Sequence, residues 1–557
     1  MAKTDQATGG PYNIVFILTD QERHFRPDEL PKDYRLPAHE RLAKSGVVFE
    51  NHRINSCVCT SSRSVIYTGQ HIQQTGMFDN ANFPWSRSLS TDIKTLGHLL
   101  REAGYYTAYK GKWHLTKEFE TENKLSEPTE MKIFTKEMEA YGFSDYMGVG
   151  DIIAHTQGGY LHDGMIAAAA ANWLRGKAAD LAKEQKPWFL AVNLINPHDV
   201  MFYNTDEPGK PVQSKGALTH LAGDPDHEMY RKQWAFELPA SFSQAVDAPG
   251  RPAAHTDFLI ADSVMTGHVP VEDAWRWRKR HNFYLNALRD VDRHIMTVLQ
   301  ELEDRGLADN TIVILTSDHG ELDGAHQMTG KGPSSYREQN NVPLIVSHPA
   351  FAGGKRCQAV TTHLDLAPTL VSLTNASPQK KAAIMETLPG KDFSTVLAAP
   401  EQAGHQAVRD GQLYCFNMFA SLDGDFLKKA SALLAEGGPP KLKASGLHPD
   451  MRKRGALRSV FDGRYQFTRY FSPKQHNLPA SIEALFELND VELFDLQSDP
   501  HELNNLALDR EKNADLLMTM NAKLNKLIDE EVGEDVGQML PGGVDGGWVA
   551  TPAVHDL

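Results

Sequence analysis

Four short apolar runs limit most strongly the folds that are open to this chain. They are NIVFILTD (Asn13–Asp20), PWFLAVNLINPH (Pro187–His198), NTIVILTSDHG (Asn310–Gly320) and VPLIVSHP (Val342–Pro349). All are rich in Val, Ile and Leu, and none alternates strictly between apolar and polar residues. Such runs are typical of strands buried on both faces, because helices cover both sides of a parallel sheet. We therefore expect the core to contain a mostly parallel sheet.

Stretches with a helical period lie between these runs. DIKTLGHLLREAGY, DGMIAAAAANWLRGKAADLAKE and FYLNALRDVDRHIMTVLQELEDRGL have apolar residues three and four positions apart, which indicates amphipathic helices. Strands that alternate with such helices are typical of the α/β class. The prediction is a large, mostly parallel sheet that is sandwiched by helices.

Two regions have a different character. The segment from Val200 to about Arg280 is rich in Pro, Gly, His and aromatic residues and shows only short helical patches. This indicates an elaborated loop over one end of the sheet, where it would influence substrate choice. After about residue 400 the chain shows hairpin patterns, including the Asp-Gly turn of FDGRYQF. We predict a catalytic domain over residues 1–400 with an insertion at about 200–280, and a C-terminal subdomain of antiparallel sheet plus helix, with a tail, over 401–557.

The balance of charge narrows the classes of partner. The 557 residues include 57 Lys and Arg against 72 Asp and Glu, a net charge of -15, which argues against nucleic acid and against an anionic membrane surface. The first residues lack the apolar segment of a signal peptide, and no run is long enough to span a membrane. Four cysteines are too few for a disulfide framework in a chain of this size. We therefore expect a cytoplasmic protein, and a homo-oligomer is left open.

Polar side chains follow several predicted strands at the point where each strand ends. Ligands of open α/β sheets bind beyond the carboxyl ends of the strands, and these residue types can hold a metal or move a proton. Any one of them alone is more often a cap, a turn residue or a hydrogen-bonded core residue, but their repetition predicts a site. The residues are Asp20, Gln21, Lys112, His114, His198, Asp318 and His319.

The octapeptide CVCTSSRS adds two cysteines to this set. A helix is predicted to begin near Cys59, and its N-terminal end would favour a nucleophile or a bound oxyanion, with Arg63 one turn further on. Cys57 and Cys59 are open to three interpretations, namely a soft-metal clip, a redox couple, or one working sulfur beside a buried one. A nucleophile, a cation site and a surplus of Lys, Arg and His together suit the transfer of a sulfuryl or phosphoryl group.

Five segments, in this order, resemble the sulfatase family. SCVCTSSRSVIYTGQHIQQTG resembles the Cys-X-Pro-Ser-Arg signature, AYKGKWHL resembles the Gly-Lys-Trp-His element, and TSDHGELDGAHQMTGKGPSSYRE resembles the Asp-His-Gly metal segment. THLDLAPTL and ELFDLQSDPHELNNLA resemble two further blocks, so the similarity runs from about Asn13 to Leu506. It implies the alkaline-phosphatase-like fold and places the chain near the choline-sulfatase and phosphonate monoester hydrolase branches.

The resemblance also implies how the nucleophile and the metal are supplied. Cys59 would be converted by a formylglycine-generating enzyme into formylglycine, whose hydrated aldehyde supplies the attacking oxygen. Cys57 would then be a buried small side chain. One divalent cation would be held next to the modified Cys59. Its protein ligands would be Asp20, Gln21, Asp318 and His319.

Five further residues have roles implied by the same resemblance. Arg63 and Lys112 would stabilise the hydrate and the charge of the sulfate. His114 would deprotonate the second hydroxyl of the hydrate so that sulfate is expelled. His198 and Lys331 would bind the sulfate and assist the leaving oxygen.

Two departures from the family pattern bear on the chemistry. Ser61 stands where the maturation signal usually has proline and sometimes alanine. Gln21 and His319 stand where many members have a second Asp and an Asn. Fewer carboxylates and one imidazole shift the preference from Ca²⁺ towards Mn²⁺, with Mg²⁺ as a third choice.

The sequence predicts a hydrolase that cleaves an organic sulfate monoester to an alcohol or phenol and inorganic sulfate. One alternative is a phosphonate monoester or phosphodiester hydrolase on the same scaffold. The other is a catalytically silent protein that binds sulfate esters and keeps Cys59 unmodified. The expected partners are a small-molecule sulfate ester and a formylglycine-generating enzyme.

Overall fold

The computed structural model describes residues 11–83, 85–119, 131–148 and 156–540, so the end of the predicted tail lies outside the described residues. Within these ranges the larger sheet has eight strands. They are β1 (Asn13–Asp20), β2 (Val47–Arg53), β3 (Tyr106–Gly111), β4 (Ser144–Met147), β5 (Trp188–Pro197), β6 (Thr311–Ser317), β7 (Leu344–Ser347) and β8 (Lys355–Thr362).

The order of the strands across this sheet is β4-β3-β5-β1-β6-β7-β2-β8. The central strand β1 pairs in parallel with β5 on one side and with β6 on the other. The outer pairs β3–β5, β3–β4 and β2–β8 are parallel too. The predicted mostly parallel sheet is therefore confirmed.

The strand side chains divide between two cores because successive residues of a strand point to opposite faces. All eight residues of β1 are buried. Ile14, Phe16 and Leu18 lie in the core on one face, whereas Val15 and Ile17 lie in the core on the other. A non-alternating apolar run is what a strand covered on both faces requires.

Helices cover both faces of the larger sheet. Residues of α2, α4 and α11 lie in one core and residues of α1, α6, α7 and α9 in the other. The described helices are α1 (Pro37–Ser45), α2 (Cys59–Thr68), α3 (Ile72–Thr75), α4 (Leu96–Glu102), α5 (Met131–Ala140), α6 (Gly158–Arg175), α7 (Lys177–Lys183), α8 (Ala253–Thr266), α9 (Ala274–Asp304), α10 (Arg337–Asn340), α11 (Leu366–Ser372), α12 (Pro378–Met385), α13 (Gly424–Ser445), α14 (Ile482–Leu488) and α15 (Ala514–Glu531).

A second, antiparallel sheet lies after residue 411. In the described part of the chain it has four strands, β9 (Gln412–Phe416), β10 (Ala456–Phe461), β11 (Tyr465–Phe471) and β12 (Asn489–Asp495), in the order β12-β11-β10-β9. The predicted Asp-Gly turn joins β10 to β11, and Gly463 adopts φ 101°, which favours glycine. Helix α15 packs against this sheet. The predicted fold class is confirmed, and the division at residue 400 stays a prediction.

Strand β7 is the exception to the parallel arrangement. It runs antiparallel to both of its neighbours, β6 and β2. The run VPLIVSHP has the apolar character of a parallel strand, but its direction is set by the segment before it. A parallel return needs a connection that crosses to the other end of the sheet, usually a helix. The segment between β6 and β7 instead folds back on itself, because the backbone N–H groups of Gly320 and Glu321 donate to the carbonyl oxygens of Gln339 and Glu338. Strand β7 therefore begins at the end of the sheet where β6 stops.

One helix and the first turns of another were not expected from the sequence. The segment from Val200 to about Arg280 contains α8, which has 14 residues, and the start of α9, which begins at Ala274. The prediction of short helical patches was therefore wrong here, because Pro- and Gly-rich flanks conceal the apolar spacing of α8. Helix α13 packs against α8. The insertion is thus joined to the C-terminal part of the chain.

No helix in the described ranges combines the length and the apolar character that a membrane span needs.

A buried ion pair anchors the segment after β1. His39 Nδ1 lies 2.6 Å from Asp292 Oδ1, and His39 Nε2 lies 2.9 Å from Glu22 Oε1. The same Asp292 carboxylate, which is on α9, accepts hydrogen bonds from the first backbone N–H groups of α1. Burial opposes the imidazolium charge, but Glu22 and Asp292 raise the pKa of His39 to about 10.

This raised pKa predicts a pH-dependent loss of stability in His39→Gln. Because the folded pKa exceeds the unfolded value of about 6.5, the stabilisation is complete below that pH and is lost as the pH rises towards 10. We expect the free energy of unfolding to fall by about 3 kcal/mol at pH 6 and by much less at pH 10. Urea unfolding at both pH values measures this, with the exposed His448→Gln as the control. An equal loss at both pH values would contradict the assignment.

Candidate active site

The carboxyl ends of four parallel strands bring predicted site residues to one edge of the larger sheet. β1 ends at Asp20, and β3, β5 and β6 end one residue before Lys112, His198 and Asp318. None of these four residues is more than 4% exposed. Charged side chains at this depth require partners, and each of the three charged ones has them.

The turn after β3 depends on a glycine. Gly111 has φ 92°, and a Cβ atom at this position would lie 2.0 Å from the carbonyl oxygen of Asn193. Only glycine allows so close an approach of β3 to β5. This approach sets the direction in which Lys112 leaves the strand.

Helix α2 has Cys59 at its first position, and all ten of its residues are buried. Thr60 fastens this end of the helix, because its hydroxyl donates to the carbonyl oxygen of His114 at 2.8 Å and accepts from the backbone N–H of Ala81 at 3.1 Å. The helix ends at Gly69, which adopts φ 65°. Cys59 is thereby held beside the strand ends, and Cys57 is fully buried.

Four potential ligand atoms converge at this point. Cys59 Sγ lies 3.2 Å from His319 Nε2 and 3.7 Å from Asp20 Oδ1. His319 Nε2 lies 3.6 Å from Asp318 Oδ1. The ligand atoms of the four residues all lie within 4.8 Å of one another. The structure therefore brings together Asp20, Cys59, Asp318 and His319.

Arg63 and Lys112 hold the outer oxygens of the two carboxylates. Arg63 donates to Asp20 Oδ2 and to Asp318 Oδ2, both at 2.9 Å, and Lys112 Nζ donates to Asp20 Oδ2 at 2.7 Å. Arg63 also donates to the carbonyl oxygen of Lys112 at 2.9 Å. One oxygen of each carboxylate is thus held by cations, and the other oxygen is turned towards Cys59 and His319.

The two carboxylates differ in their electrostatic balance. Burial alone would raise the pKa of Asp20, but Lys112, His198 and Arg63 together hold it well below its ordinary value. For Asp318, burial and the neighbouring Asp20 charge raise the pKa to about 6. Asp20 in turn raises the pKa of Lys112 to about 12 against the effect of burial. The centre therefore holds buried charged groups of both signs.

The donor set fits a divalent cation. His319 Nδ1 lies 2.9 Å from the carbonyl oxygen of Gly320, which only accepts, so Nδ1 has the proton and the lone pair of Nε2 faces the carboxylate oxygens. A lone pair and two carboxylate oxygens directed at one point repel one another unless a positive charge lies between them. Oxygen donors with one imidazole suit Mn²⁺, Mg²⁺ or Ca²⁺.

The predicted ligand Gln21 follows directly after β1 and adopts φ 72°. Its backbone N–H donates to Asp318 Oδ1 at 3.1 Å. Its amide nitrogen donates to Glu321, and its amide oxygen accepts from Lys331. The amide oxygen therefore faces the side of the centre where the lysine lies.

The two predicted histidines are buried and neutral. Burial and then Lys112 hold the pKa of His114 and of His198 well below the ordinary value. Asp20 also acts on both rings, and Lys331 acts on His198. Both histidines, with Lys331, therefore belong to the same electrostatic neighbourhood as the four converging ligand atoms. A neutral imidazole in such a place can accept a proton.

Sequence reasoning missed one residue of this neighbourhood, Glu321. It is fully buried, and its Oε1 accepts from Arg280 at 3.0 Å, from the backbone N–H of Asp323 at 2.9 Å and from that of Gly330 at 2.6 Å. Its Oε2 accepts from Gln21. The segment DHGELDG places a carboxylate two residues after His319, but nothing in that spacing indicates that it touches β1.

The geometry predicts that Glu321→Gln weakens cation binding. The amide oxygen of a glutamine would stay with the three donors at the Oε1 position, which turns its NH₂ group towards the NH₂ group of Gln21. Gln21 must then rotate and present its nitrogen to the centre. Because groups that orient metal ligands contribute about 10- to 100-fold in affinity, we expect Mn²⁺ affinity to fall by about that factor. Competition with a chelating dye measures it.

The control for this experiment is Asp323→Asn. Asp323 also pairs with Arg280, at 2.8 Å, and with His281, at 2.6 Å, but its side chain does not contact Gln21. We expect Mn²⁺ affinity to change by less than about threefold, since the orienting contact is kept. Equal losses in the two variants would show that the network supports the fold and does not orient Gln21.

Comparisons with known proteins agree with the interpretation of this region as an active site. The model of the Sulfatase family matches residues 12–376. The uncharacterized sulfatase YidJ of Escherichia coli is 28% identical over 422 residues, which are 70% of this chain and 72% of that protein. The endo-4-O-sulfatase of Bacteroides thetaiotaomicron is 24% identical over 98% of this chain and 94% of that protein.

One solved structure has a fold similar to that of this chain. The phosphonate monoester hydrolase of Silicibacter pomeroyi matches with a TM-score of 0.63 and 18% identity, over 94% of this chain and 96% of that one. At this identity the likeness shows the fold alone. The family match covers more than half of the chain and spans every strand of the larger sheet. It favours an enzyme over the silent binding protein that the sequence left open. The chain therefore belongs to the sulfatase family and is a sulfuric ester hydrolase.

Proposed function

We propose that this enzyme hydrolyses an organic sulfate monoester to an alcohol or phenol and inorganic sulfate, with the side chain at position 59 as the nucleophile. The observation that supports this most directly is the convergence of Cys59 Sγ with one oxygen each of Asp20 and Asp318 and with His319 Nε2. A nucleophile, a cation site and paired cations in a dry pocket suit the transfer of a tetrahedral anionic group.

The chemistry needs a modified residue and a metal ion in addition to the encoded side chains. A formylglycine formed from Cys59 would supply an oxygen nucleophile in place of the thiol. A divalent cation held by Asp20, Gln21, Asp318 and His319 would polarise the sulfate, and the single imidazole favours Mn²⁺ over Ca²⁺.

The remaining residues act through charge and proton transfer. Arg63 and Lys112, which both donate to Asp20 Oδ2 at 2.9 and 2.7 Å, stabilise the hydrate and the charge of the sulfate. His114, neutral in its buried position, takes a proton from the nucleophile when sulfate leaves. His198 and Lys331 bind the sulfate and assist the departure of the leaving oxygen, His198 through a hydrogen bond and Lys331 through its charge.

The test compares two esters with the same chromophore. Protein produced together with a formylglycine-generating enzyme is assayed with p-nitrophenyl sulfate and with a p-nitrophenyl phosphonate monoester, with Mn²⁺ present. We expect kcat/KM to be at least about tenfold higher for the sulfate, a difference of about 1.4 kcal/mol in the barrier. A higher value for the phosphonate would overturn the proposal in favour of the phosphonate monoester hydrolase alternative.

A further inference from the structure

A cavity of about 150 Å³ adjoins the catalytic residues. Val58, which precedes Cys59, is among its lining residues, as is Lys331. The leaving group of a sulfate ester bound next to Cys59 would extend into this cavity. The chemistry of the cavity wall therefore bears on which leaving group the enzyme accepts.

Helix α8 forms an apolar wall of this cavity. Phe258, Leu259 and Met265 of that helix line it, on the face that also packs towards the metal segment. The wall continues with Trp277 of α9 and with Met418 from the segment after β9. Three separate parts of the chain thus contribute large apolar or aromatic side chains, as in pockets that bind apolar small molecules.

The two cations of the lining are already engaged. Arg280 and Lys331 are the permanently positive residues among the described residues that line the cavity. Arg280 is held by Glu321 at 3.0 Å and by Asp323 at 2.8 Å, and Lys331 donates to the amide oxygen of Gln21 and is proposed to bind the sulfate itself. A leaving group with a carboxylate or a second sulfate would therefore compete with the ion pairs of Arg280 or with the reacting sulfate for Lys331, and would lose hydration on entry.

Asp262 is the one carboxylate among the described residues of the lining, and it is also engaged. It accepts from the hydroxyl of Thr329 at 2.8 Å and from that of Thr266 at 3.2 Å. Burial raises the pKa of Asp262, and Arg280 acts against this rise from nearby. Because its oxygens already accept hydrogen bonds and burial disfavours its charge, Asp262 is a poor partner for a quaternary ammonium group. A neutral leaving group fits this balance best.

The size of the cavity sets the size of the group. An apolar cavity of about 150 Å³ in a protein interior holds one benzene molecule. Polar side chains such as Asn80, Gln213 and Gln327 also line the cavity. A monosaccharide is larger than benzene, however, and the hydroxyls that it turned towards the apolar wall would lose their hydrogen bonds to water. We propose that this cavity binds the leaving group of the substrate, and that this group is a neutral single aromatic ring or an alkyl chain of about six carbons. The inference rests on the proposed sulfate-ester function.

The test measures binding without turnover. Cys59→Ala protein lacks the nucleophile, so n-alkyl sulfates from ethyl to octyl can be titrated calorimetrically with Mn²⁺ present. All n-alkyl sulfates have the same sulfate group. Differences between their dissociation constants therefore report the contacts of the alkyl chain with the cavity. Burying one methylene contributes enough that we expect the dissociation constant to fall about fourfold per carbon up to about hexyl, and then to level off.

Variants of the wall make the test specific. Leu259→Asn and Met265→Gln place neutral polar groups of similar size in the cavity, and each is expected to weaken hexyl sulfate about tenfold or more while changing ethyl sulfate less than twofold. The control is Thr256→Asn, on an exposed position of the same helix. It is expected to change neither ligand by more than about twofold.

The outcomes separate the inference from the function on which it rests. A dissociation constant that does not depend on chain length, or tighter binding of glucosamine 6-sulfate or choline sulfate than of hexyl sulfate, would overturn the inference. Matured wild-type protein that still hydrolyses p-nitrophenyl sulfate would leave the proposed function intact in that case. No hydrolysis of any sulfate by protein with a verified formylglycine would instead overturn the function.

Discussion

Replacing Cys59 with alanine is expected to reduce kcat on p-nitrophenyl sulfate by at least about 10⁴-fold, because a chemical step that depends on a covalent nucleophile has no substitute when the nucleophile is removed. Cys59 is the first residue of α2, and its Sγ lies 3.2 Å from His319 Nε2. Alanine fits the same helix position without strain. Thermal unfolding within a few degrees of the wild type would show that the loss is chemical.

The neighbouring Cys57 provides a matched control. It is equally buried, but burial raises the pKa of its thiol, and it is absent from the group of converging ligand atoms. We expect Cys57→Ala to cost about 1 kcal/mol of stability and to change kcat less than about threefold. Equal losses of activity in the two variants would contradict the choice between the two cysteines.

Mass spectrometry of the tryptic peptide Ile54–Arg63 accompanies this experiment. The peptide contains both cysteines, and fragmentation locates an aldehyde at one of them. An aldehyde at Cys59 means that Ser61 is tolerated in the maturation signal. A free thiol at Cys59 would mean that the assayed protein was not converted. The activity assay must then be repeated with protein that contains formylglycine.

The local character of the strands made most of the fold predictable from the sequence. NIVFILTD is buried along its whole length as β1, and the residues after β1, β3, β5 and β6 meet at one edge because parallel strands share a direction. Asp20 and Asp318 could therefore be placed in one site without knowledge of any contact between them. Each of these inferences needs only periodicity and the geometry of a parallel sheet.

Contacts that depend on chain direction or on distant pairs could not be predicted in this way. The run that forms β7 has the same apolar character whichever way it runs, and the preceding segment decides its direction. The hydrogen bond between Gln21 and Glu321 joins residues that are 300 positions apart. The apolar face of α8 lies beside the metal segment, and α13, from a distant part of the chain, packs against the same helix. Contacts of this kind depend on the whole fold and not on the local sequence.

The second large effect is expected from Asp20→Asn, which removes one charge and keeps the shape. Asp20 Oδ2 accepts from both Arg63 and Lys112, and its Oδ1 lies 3.7 Å from Cys59 Sγ. The wild-type centre balances two carboxylates against these two cations. Loss of one carboxylate leaves an excess positive charge in a buried place, where a divalent cation is repelled. Lys112 then loses its carboxylate partner, and Arg63 keeps only Asp318.

Three measurements should therefore change together in Asp20→Asn. We expect the Mn²⁺ content of the purified protein to fall at least about tenfold, because the charge of the ligands sets the affinity for the cation. We expect kcat to fall at least about 10³-fold, because the cation activates the nucleophile. The free energy of unfolding is expected to fall by about 3 kcal/mol, since a buried ion pair loses one partner.

The control Asp365→Asn separates the loss of a buried charge from the loss of the cation site. Asp365 is fully buried and pairs with Arg409 at 3.2 Å, as Asp20 pairs with its cations. It directly precedes α11, however, and is absent from the group of converging ligand atoms. Removing its charge is expected to cost about as much stability, for the same reason, while the Mn²⁺ content and kcat stay within about threefold of the wild type. If both variants lost cation and activity alike, general weakening of the fold would explain the result. If Asp20→Asn kept its cation, the ligand set would have to be drawn without Asp20.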